Sequence, residues 1–247
     1  MKKVLLSMTA AIVLGSTAMA GGDVAPTPVV PADSWSGFYF GVQVGESWNY
    51  ADTHTDAYIN GNYVSSNEVT DLNSYRDPYA GFHLGYNWRV YEQYILGLQA
   101  EFNMKSNKAS KRITPPWNTD FSYQVRENWE SALYLRLGRV INDTYTPYIL
   151  GGVSWSNVSG RYYYNPDPSW PSAQEVQKWK DDTTNGWTLG GGLEVKINRH
   201  IHLGIQYRYS HYKNAKVVNV WDSTETYPTE IRNLHTHTIQ AMINYRF

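Results

Sequence analysis

The chain has 247 residues, enough for one large domain or two small ones. Its 21 basic and 22 acidic side chains leave no cationic surplus with which to neutralise a nucleic-acid backbone. The absence of cysteine excludes disulfides, thiolate metal sites and cysteine nucleophiles. With 21 tyrosines, 10 tryptophans and a mean hydropathy of −0.52, the chain is too aromatic for disorder and too polar for a helical membrane protein.

The N-terminus has the features of a secretory signal. Lys2 and Lys3 precede an apolar run from Val4 to Leu14, and Ala18-Met19-Ala20 supplies the small residues of a cleavage site. The apolar run is too short for a transmembrane helix, which needs about 20 residues. We therefore expect residues 1–20 to be a cleaved signal peptide and the mature protein to reach a Gram-negative cell envelope.

Residues 21–34 predict an extended periplasmic leader. They carry Pro26, Pro28 and Pro31 among small side chains, and such a stretch cannot pair in a sheet. The folded domain is predicted to span residues 35–247.

From Trp35 onward, apolar residues alternate with small or polar ones, the period of a β-strand with one apolar face. In the first such segment, Phe38, Phe40, Val42 and Val44 alternate with Tyr39, Gly41, Gln43 and Gly45. The pattern recurs around residues 80–88, 96–103, 129–137, 149–155, 187–197, 201–209 and 239–247. We therefore predict an all-β protein with eight strands.

The connections between these strands alternate in length. Polar segments at residues 49–78, 105–127, 157–185 and 212–233 alternate with short turns near residues 89–93, 142–144 and 198–200. An antiparallel up-and-down barrel in an outer membrane has this asymmetry, with short periplasmic turns and long extracellular loops.

Alternation alone does not distinguish a membrane barrel from a soluble one, in which the apolar face points inward. Two features favour the membrane barrel. Glycine recurs on the polar face, as expected where side chains crowd inside a narrow tube. Tryptophans fall at strand ends and predict two aromatic girdles, with Trp48, Trp129, Trp155 and Trp187 at the long-loop end and Trp35 and Trp88 at the other.

Three segments resemble a known family. They are Trp35-Ser36-Gly37-Phe38-Tyr39-Phe40-Gly41, Thr146-Pro147-Tyr148-Ile149-Leu150-Gly151-Gly152-Val153 and the terminal Tyr245-Arg246-Phe247. Residues 35–247 resemble the small eight-stranded outer-membrane β-barrels, most closely the outer-membrane immunogenic and opacity-type proteins of the porin family, architectural relatives of OmpA and OmpX. The resemblance implies that Tyr245 and Phe247 form an assembly signal read by the barrel-assembly machinery. Because the sequence ends with the eighth predicted strand, we expect no counterpart of the peptidoglycan-binding domain that OmpA carries.

Charged residues on the inward parity are the first candidate site. The set comprises Glu101, Glu130, Arg136, Glu194, Lys196, Arg208 and Arg246. Charges in a confined interior must pair or be hydrated, so they form either a gated ion path or a salt-bridged plug. An eight-stranded interior is about wide enough for its own side chains, which favours the plug.

Histidines form a second candidate. His235 and His237 share one face, and hairpin counting places His211 opposite His235 near the outer rim. Three imidazoles could hold a metal, or a haem iron as proposed for some members of the family the chain resembles. The alternative is that they are polar rim residues, and it is favoured because no carboxylate completes the set. We therefore expect no metal and no cofactor.

An enzymatic alternative rests on one motif. Outer-membrane lipid A deacylases carry His-x-Ser-Asn-Ala, whereas this chain has His211-Tyr212-Lys213-Asn214-Ala215. Lys213 cannot form the acyl ester of that mechanism, and Ser210 is predicted to project from the opposite face. We therefore predict no enzymatic activity.

The expected function is structural and at the cell surface. Outer-membrane lipid, lipopolysaccharide and the barrel-assembly machinery are the expected partners, with a host or surface ligand contacting the loops. The alternative function is a narrow porin or a barrel for uptake of haem or a small solute.

Overall fold

The structure is a computed structural model that describes residues 35–105, 108–113, 120–165, 174–220 and 225–247. The predicted signal peptide and leader lie outside these residues. Within the described ranges, no helix is long and apolar enough to cross a membrane. The same ranges contain ten strands: β1 (Gly37–Ile59), β2 (Asn62–Tyr91), β3 (Tyr94–Lys105), β4 (Lys108–Ile113), β5 (Asp120–Arg139), β6 (Tyr145–Asn165), β7 (Gln174–Lys196), β8 (Ile201–Tyr212), β9 (Ala215–Val220) and β10 (Glu225–Arg246).

The strands close into an antiparallel barrel. Neighbours pair in the order β1-β2-β3-β5-β6-β7-β8-β10, and β10 pairs back onto β1. The short strand β4 continues β3, because both pair with β5, and β9 continues β8, because both pair with β10. The wall therefore contains eight barrel strands, which confirms the predicted fold class.

The apolar face of the barrel points outward. Every barrel strand exposes large apolar side chains, among them Val44, Leu84, Leu96, Leu135, Ile149, Leu189, Ile205 and Ile243. Alternate residues are buried and mostly polar. In β8, the first eight residues alternate strictly between exposed and buried. This arrangement is that of a barrel in lipid and the inverse of a soluble one.

Short turns close one end of the barrel, as predicted. They join β2 to β3, β5 to β6 and β7 to β8, and we call this the short-turn end. The opposite end, which we call the hairpin end, carries the segments predicted as long loops.

At the hairpin end, strands replace much of what the sequence predicts as loop. β1 continues to Ile59, and β2 begins at Asn62 after a tight turn in which Asn60 and Gly61 have φ values of 50° and 76°. Asn-Gly is the sequence that this hairpin turn favours. The strands extend past the predicted boundaries because their neighbours keep pairing, while the apolar alternation stops.

Candidate functional site: the polar barrel interior

Six of the seven charged residues predicted to face inward are buried, with exposures of 5% or less. They are Glu101, Glu130, Arg136, Glu194, Arg208 and Arg246. Lys196 differs: its side chain is partly exposed at the short-turn end and pairs with Asp143 in the β5–β6 turn. The six buried residues fall into two groups.

The first group, the Glu194 cluster, comprises Arg136, Glu194 and Arg246 near the short-turn end. Arg136 Nη2 lies 2.6 Å from Glu194 Oε1, and Arg246 Nη2 lies 2.7 Å from Glu194 Oε2. The Arg136 guanidinium also lies 3.9 Å from the ring centroid of Tyr148. One carboxylate on β7 thus joins arginines from β5 and β10, each two barrel strands away.

The second group, the Arg208 cluster, comprises Arg208, Glu101, Glu130, Lys105 and Glu127. Arg208 Nη2 lies 3.1 Å from Glu101 Oε1, and Arg208 Nη1 lies 3.2 Å from Glu130 Oε1. Lys105 Nζ lies 2.7 Å from Glu127 Oε2 and 3.0 Å from Glu130 Oε2. Arg208 also donates to the hydroxyl of Tyr134.

Sequence reasoning missed Lys105 and Glu127. Both lie in the segment 105–127, whose polar composition predicted a loop. Lys105 is nevertheless the last residue of β3, and Glu127 lies on β5 beside a shift in register. Extending the alternation of β3 by two residues beyond Asn103 would have placed Lys105 inward.

The two clusters carry opposite net charges. The Glu194 cluster holds two arginines against one glutamate, a formal charge of +1. The Arg208 cluster holds three glutamates against one arginine and one lysine, a formal charge of −1. Together the eight side chains are neutral, as buried charges need to be if they are to offset the cost of dehydration.

Neutral side chains add further ties between strands that are not neighbours in the wall. Tyr79 donates to Gln240 at 2.6 Å, and Tyr148 donates to Gln206 at 2.8 Å. His83 Nε2 lies 2.6 Å from Asn244 Oδ1. Each of these bonds passes over one intervening strand and joins strands that lie two positions apart in the wall.

Inward glycines make room for the large side chains. At Gly85, an added Cβ would lie 2.4 Å from the hydroxyl oxygen of Tyr39, its partner on β1. At Gly41, it would lie 2.4 Å from His83 Nε2. The glycines that recur on the polar face therefore let rings from the neighbouring strand cross the interior.

A cavity remains among these side chains near the Glu194 cluster. Its volume is about 10 Å³, and its lining is Asn87, Ile95, Arg136, Gly138, Thr146, Tyr148 and Glu194. That volume is about the size that holds one water molecule.

Five of the six girdle tryptophans lie on the outer face. Trp88, Trp155 and Trp187 are exposed, and Trp48 and Trp129 are partly buried. The prediction for Trp35 is wrong, because this residue is fully buried inside the short-turn end. Trp35 precedes β1 and so has no strand parity, and Gly37, with φ at 110°, redirects the chain between them.

The three candidate histidines lie on the outer face at the hairpin end. The register pairs His235 with His211, as hairpin counting predicts. The His235 ring stacks on Tyr50 at 5.1 Å, and His237 Nδ1 lies 2.6 Å from the Tyr207 hydroxyl. His211 lies against Trp187. The contacts of these three imidazoles with Tyr50, Trp187 and Tyr207 place them in a belt of aromatic side chains.

The residues of the deacylase-like motif do not form a nucleophile and base pair. Ser210 is buried inside the barrel, where its hydroxyl lies 2.8 Å from that of Thr188. His211, the next residue, faces outward, and Lys213 is exposed.

At the other end of the barrel, Tyr245 and Phe247 of the predicted assembly signal are exposed on the outer face and contact each other.

A closed antiparallel barrel with an apolar outer face, aromatic rings near both ends and a polar interior is a transmembrane barrel of the outer-membrane type. Residues 7–247 match the family model described as "Outer membrane protein beta-barrel domain", and the chain belongs to this family. The protein is thus an outer-membrane β-barrel protein of a Gram-negative bacterium.

Two relatives match this chain over its whole length. The 31 kDa outer-membrane immunogenic protein of Brucella melitensis is 26% identical over 256 residues, covering 100% of both chains. The 25 kDa outer-membrane immunogenic protein of Brucella canis is 27% identical, covering 100% of this chain and 99% of the relative. Among solved structures, OprG from Pseudomonas aeruginosa is similar with a TM-score of 0.48 and 11% identity, covering 86% of this chain and 98% of that one.

Proposed function

We propose that the protein is a non-conducting barrel with a structural and surface-contact role. Its outer face anchors it in lipid and lipopolysaccharide, and its hairpin end presents loops to a host or surface ligand. The observation that carries the proposal is the pairing of Arg208 with Glu101 and Glu130 across the interior.

Opening a path for solute would separate these charges. Arg208 is fully buried, and each ion of a buried pair costs several kcal/mol to strand without its partner. The Glu194 cluster and the tyrosine bonds block the same path at other levels. A filled interior directs the search for function to the outer surface and the hairpin end.

The surface role has independent support in the names of the relatives. Two Brucella relatives are called outer-membrane immunogenic proteins, and loops presented at the cell surface fit that name. Assembly through the exposed terminal Tyr245 and Phe247 is part of the same proposal. So is the absence of enzymatic activity, because Ser210 and His211 face opposite sides of the wall.

A solute-uptake assay tests the proposal. The purified protein is reconstituted in liposomes, and swelling is followed in isotonic solutions of small sugars and amino acids, with a general porin as the positive control. We expect the swelling rate of protein-free liposomes. Swelling that depends on protein and falls with solute size would overturn the proposal in favour of a narrow porin, and uptake of haemin would favour a haem-uptake barrel.

A further inference from the structure

The cavity beside the Glu194 cluster has an unusual set of donors. Two nitrogens of the Arg136 guanidinium have partners. Nη1 donates to the Tyr39 hydroxyl at 2.8 Å and to Gln99 at 3.0 Å, and Nη2 donates to Glu194. Its Nε has no hydrogen-bond partner among the described residues, and the same holds for Thr146 Oγ1. Both side chains are buried and line the cavity. Two donors of this kind call for an acceptor.

The charge around the cavity also favours an anion. The Glu194 cluster carries a formal charge of +1, from Arg136 and Arg246 against Glu194. Glu194 also lines the cavity, but its oxygens are occupied. Oε1 accepts from Arg136 and, at 3.1 Å, from Asn244, while Oε2 accepts from Arg246.

The walls limit what such an anion can be. A volume of about 10 Å³ is about what one water molecule needs, which favours a small anion over sulfate, phosphate or a carboxylate. Ile95 lines one side and packs with Trp35 and Val140 into an apolar cap at the short-turn end. An apolar wall favours an ion that gives up its water easily.

We propose that this cavity is a binding site for one monovalent halide-sized anion, chloride under ordinary conditions, held by Arg136 Nε and Thr146 Oγ1. The anion pairs locally with the positive excess of the Glu194 cluster. The inference goes beyond the proposed function, because an anion site in this cavity is compatible with a silent barrel or with a conducting one.

Bromide provides a direct test on the wild-type protein, since its anomalous X-ray scattering distinguishes it from water. Crystals are grown with chloride and soaked in bromide. We expect an anomalous peak in the cavity at hydrogen-bonding distance from Arg136 Nε and Thr146 Oγ1. Density for water without an anomalous peak, in crystals that bind bromide elsewhere, overturns the proposal.

Solution measurements use Thr146→Val, which keeps the shape but removes the hydroxyl. Thermal unfolding is followed as chloride replaces gluconate at constant ionic strength. We expect chloride to raise the Tm of the wild type. In Thr146→Val, the chloride concentration that gives half of this effect should rise about tenfold, because a hydrogen bond to a charged group is lost. Thr146→Ser, which restores the hydroxyl, and Thr144→Val in the nearby turn should respond as the wild type does. Equal chloride responses in the wild type and Thr146→Val would contradict the site.

Discussion

Arg208 on β8 pairs with Glu101 on β3 at 3.1 Å, although the two strands lie four positions apart in either direction around the wall of eight. The pair therefore crosses the full width of the interior. Arg208 also contacts Glu130 on β5, and both carboxylates are buried. One side chain thus joins opposite sides of the barrel and lies across the route that a pore would take.

Glu194→Gln tests the energetic weight of the buried charges. The substitution keeps the shape but leaves Arg136 and Arg246 with no counter-charge between them, and removing one partner of a buried pair costs roughly 3–5 kcal/mol. We expect a loss of that size in the free energy of unfolding, measured by urea denaturation in lipid vesicles at fixed chloride concentration.

The control for this variant is Glu230→Gln. Glu230 pairs with Arg232 at 3.1 Å on partly exposed side chains, and pairs of this kind contribute about 0–1 kcal/mol. Similar small losses in both variants would mean that the interior charges are hydrated and that the plug is not closed.

Two adjacent glycines provide a matched test of interior packing. A Cβ at inward Gly152 would lie 1.9 Å from the carbonyl oxygen of Leu133, whereas at outward Gly151 the nearest atom is Leu189 Cδ2 at 3.1 Å. Backbone cannot yield as a leucine methyl can. Gly152→Ala should therefore cost about 1–3 kcal/mol and Gly151→Ala less than about 0.5 kcal/mol in the same unfolding assay. Equal stabilities would contradict the assigned faces.

The lipid face is tested by Leu135→Arg, with Leu203→Arg as a second site. Leu135 is 61% exposed in the outer apolar belt. Arginine at the bilayer midplane costs roughly 2–4 kcal/mol, and the cost falls to about 0–1 kcal/mol near the interface. Ile141→Arg, in the turn between β5 and β6, should show the smaller value. Unchanged stability of Leu135→Arg in lipid would show that this face does not contact the membrane.

The alternation of residues predicted the eight barrel strands, because lipid on one side and packed polar groups on the other impose a strict period of two. The same signal failed where the apolar alternation stops, because strand pairing continues there without it. Lys105 and Glu127, both buried, were missed for that reason. Trp35 was misplaced because it precedes the first strand and its direction depends on Gly37.

The sequence alone did not predict which interior side chains pair with each other. Inward parity places Arg208 and Glu101 on the same side of the wall, but their pairing depends on the stagger of the strands and on side-chain conformation. The cavity beside Arg136 depends on these details too. The alternation of residues therefore identifies which charged side chains face the interior. Only the structure of the closed barrel identifies which of them contact each other.

Single-channel recording in a planar bilayer tests the central claim, that the charge network closes the barrel. The refolded wild type is compared with Arg208→Ala and Glu101→Ala, and a heat-dependent shift in gel mobility verifies that each protein is folded. We expect a silent wild type and at most brief openings in the two variants. Steady conductance by the wild type that rises further in both variants would contradict the account and identify a gated pore.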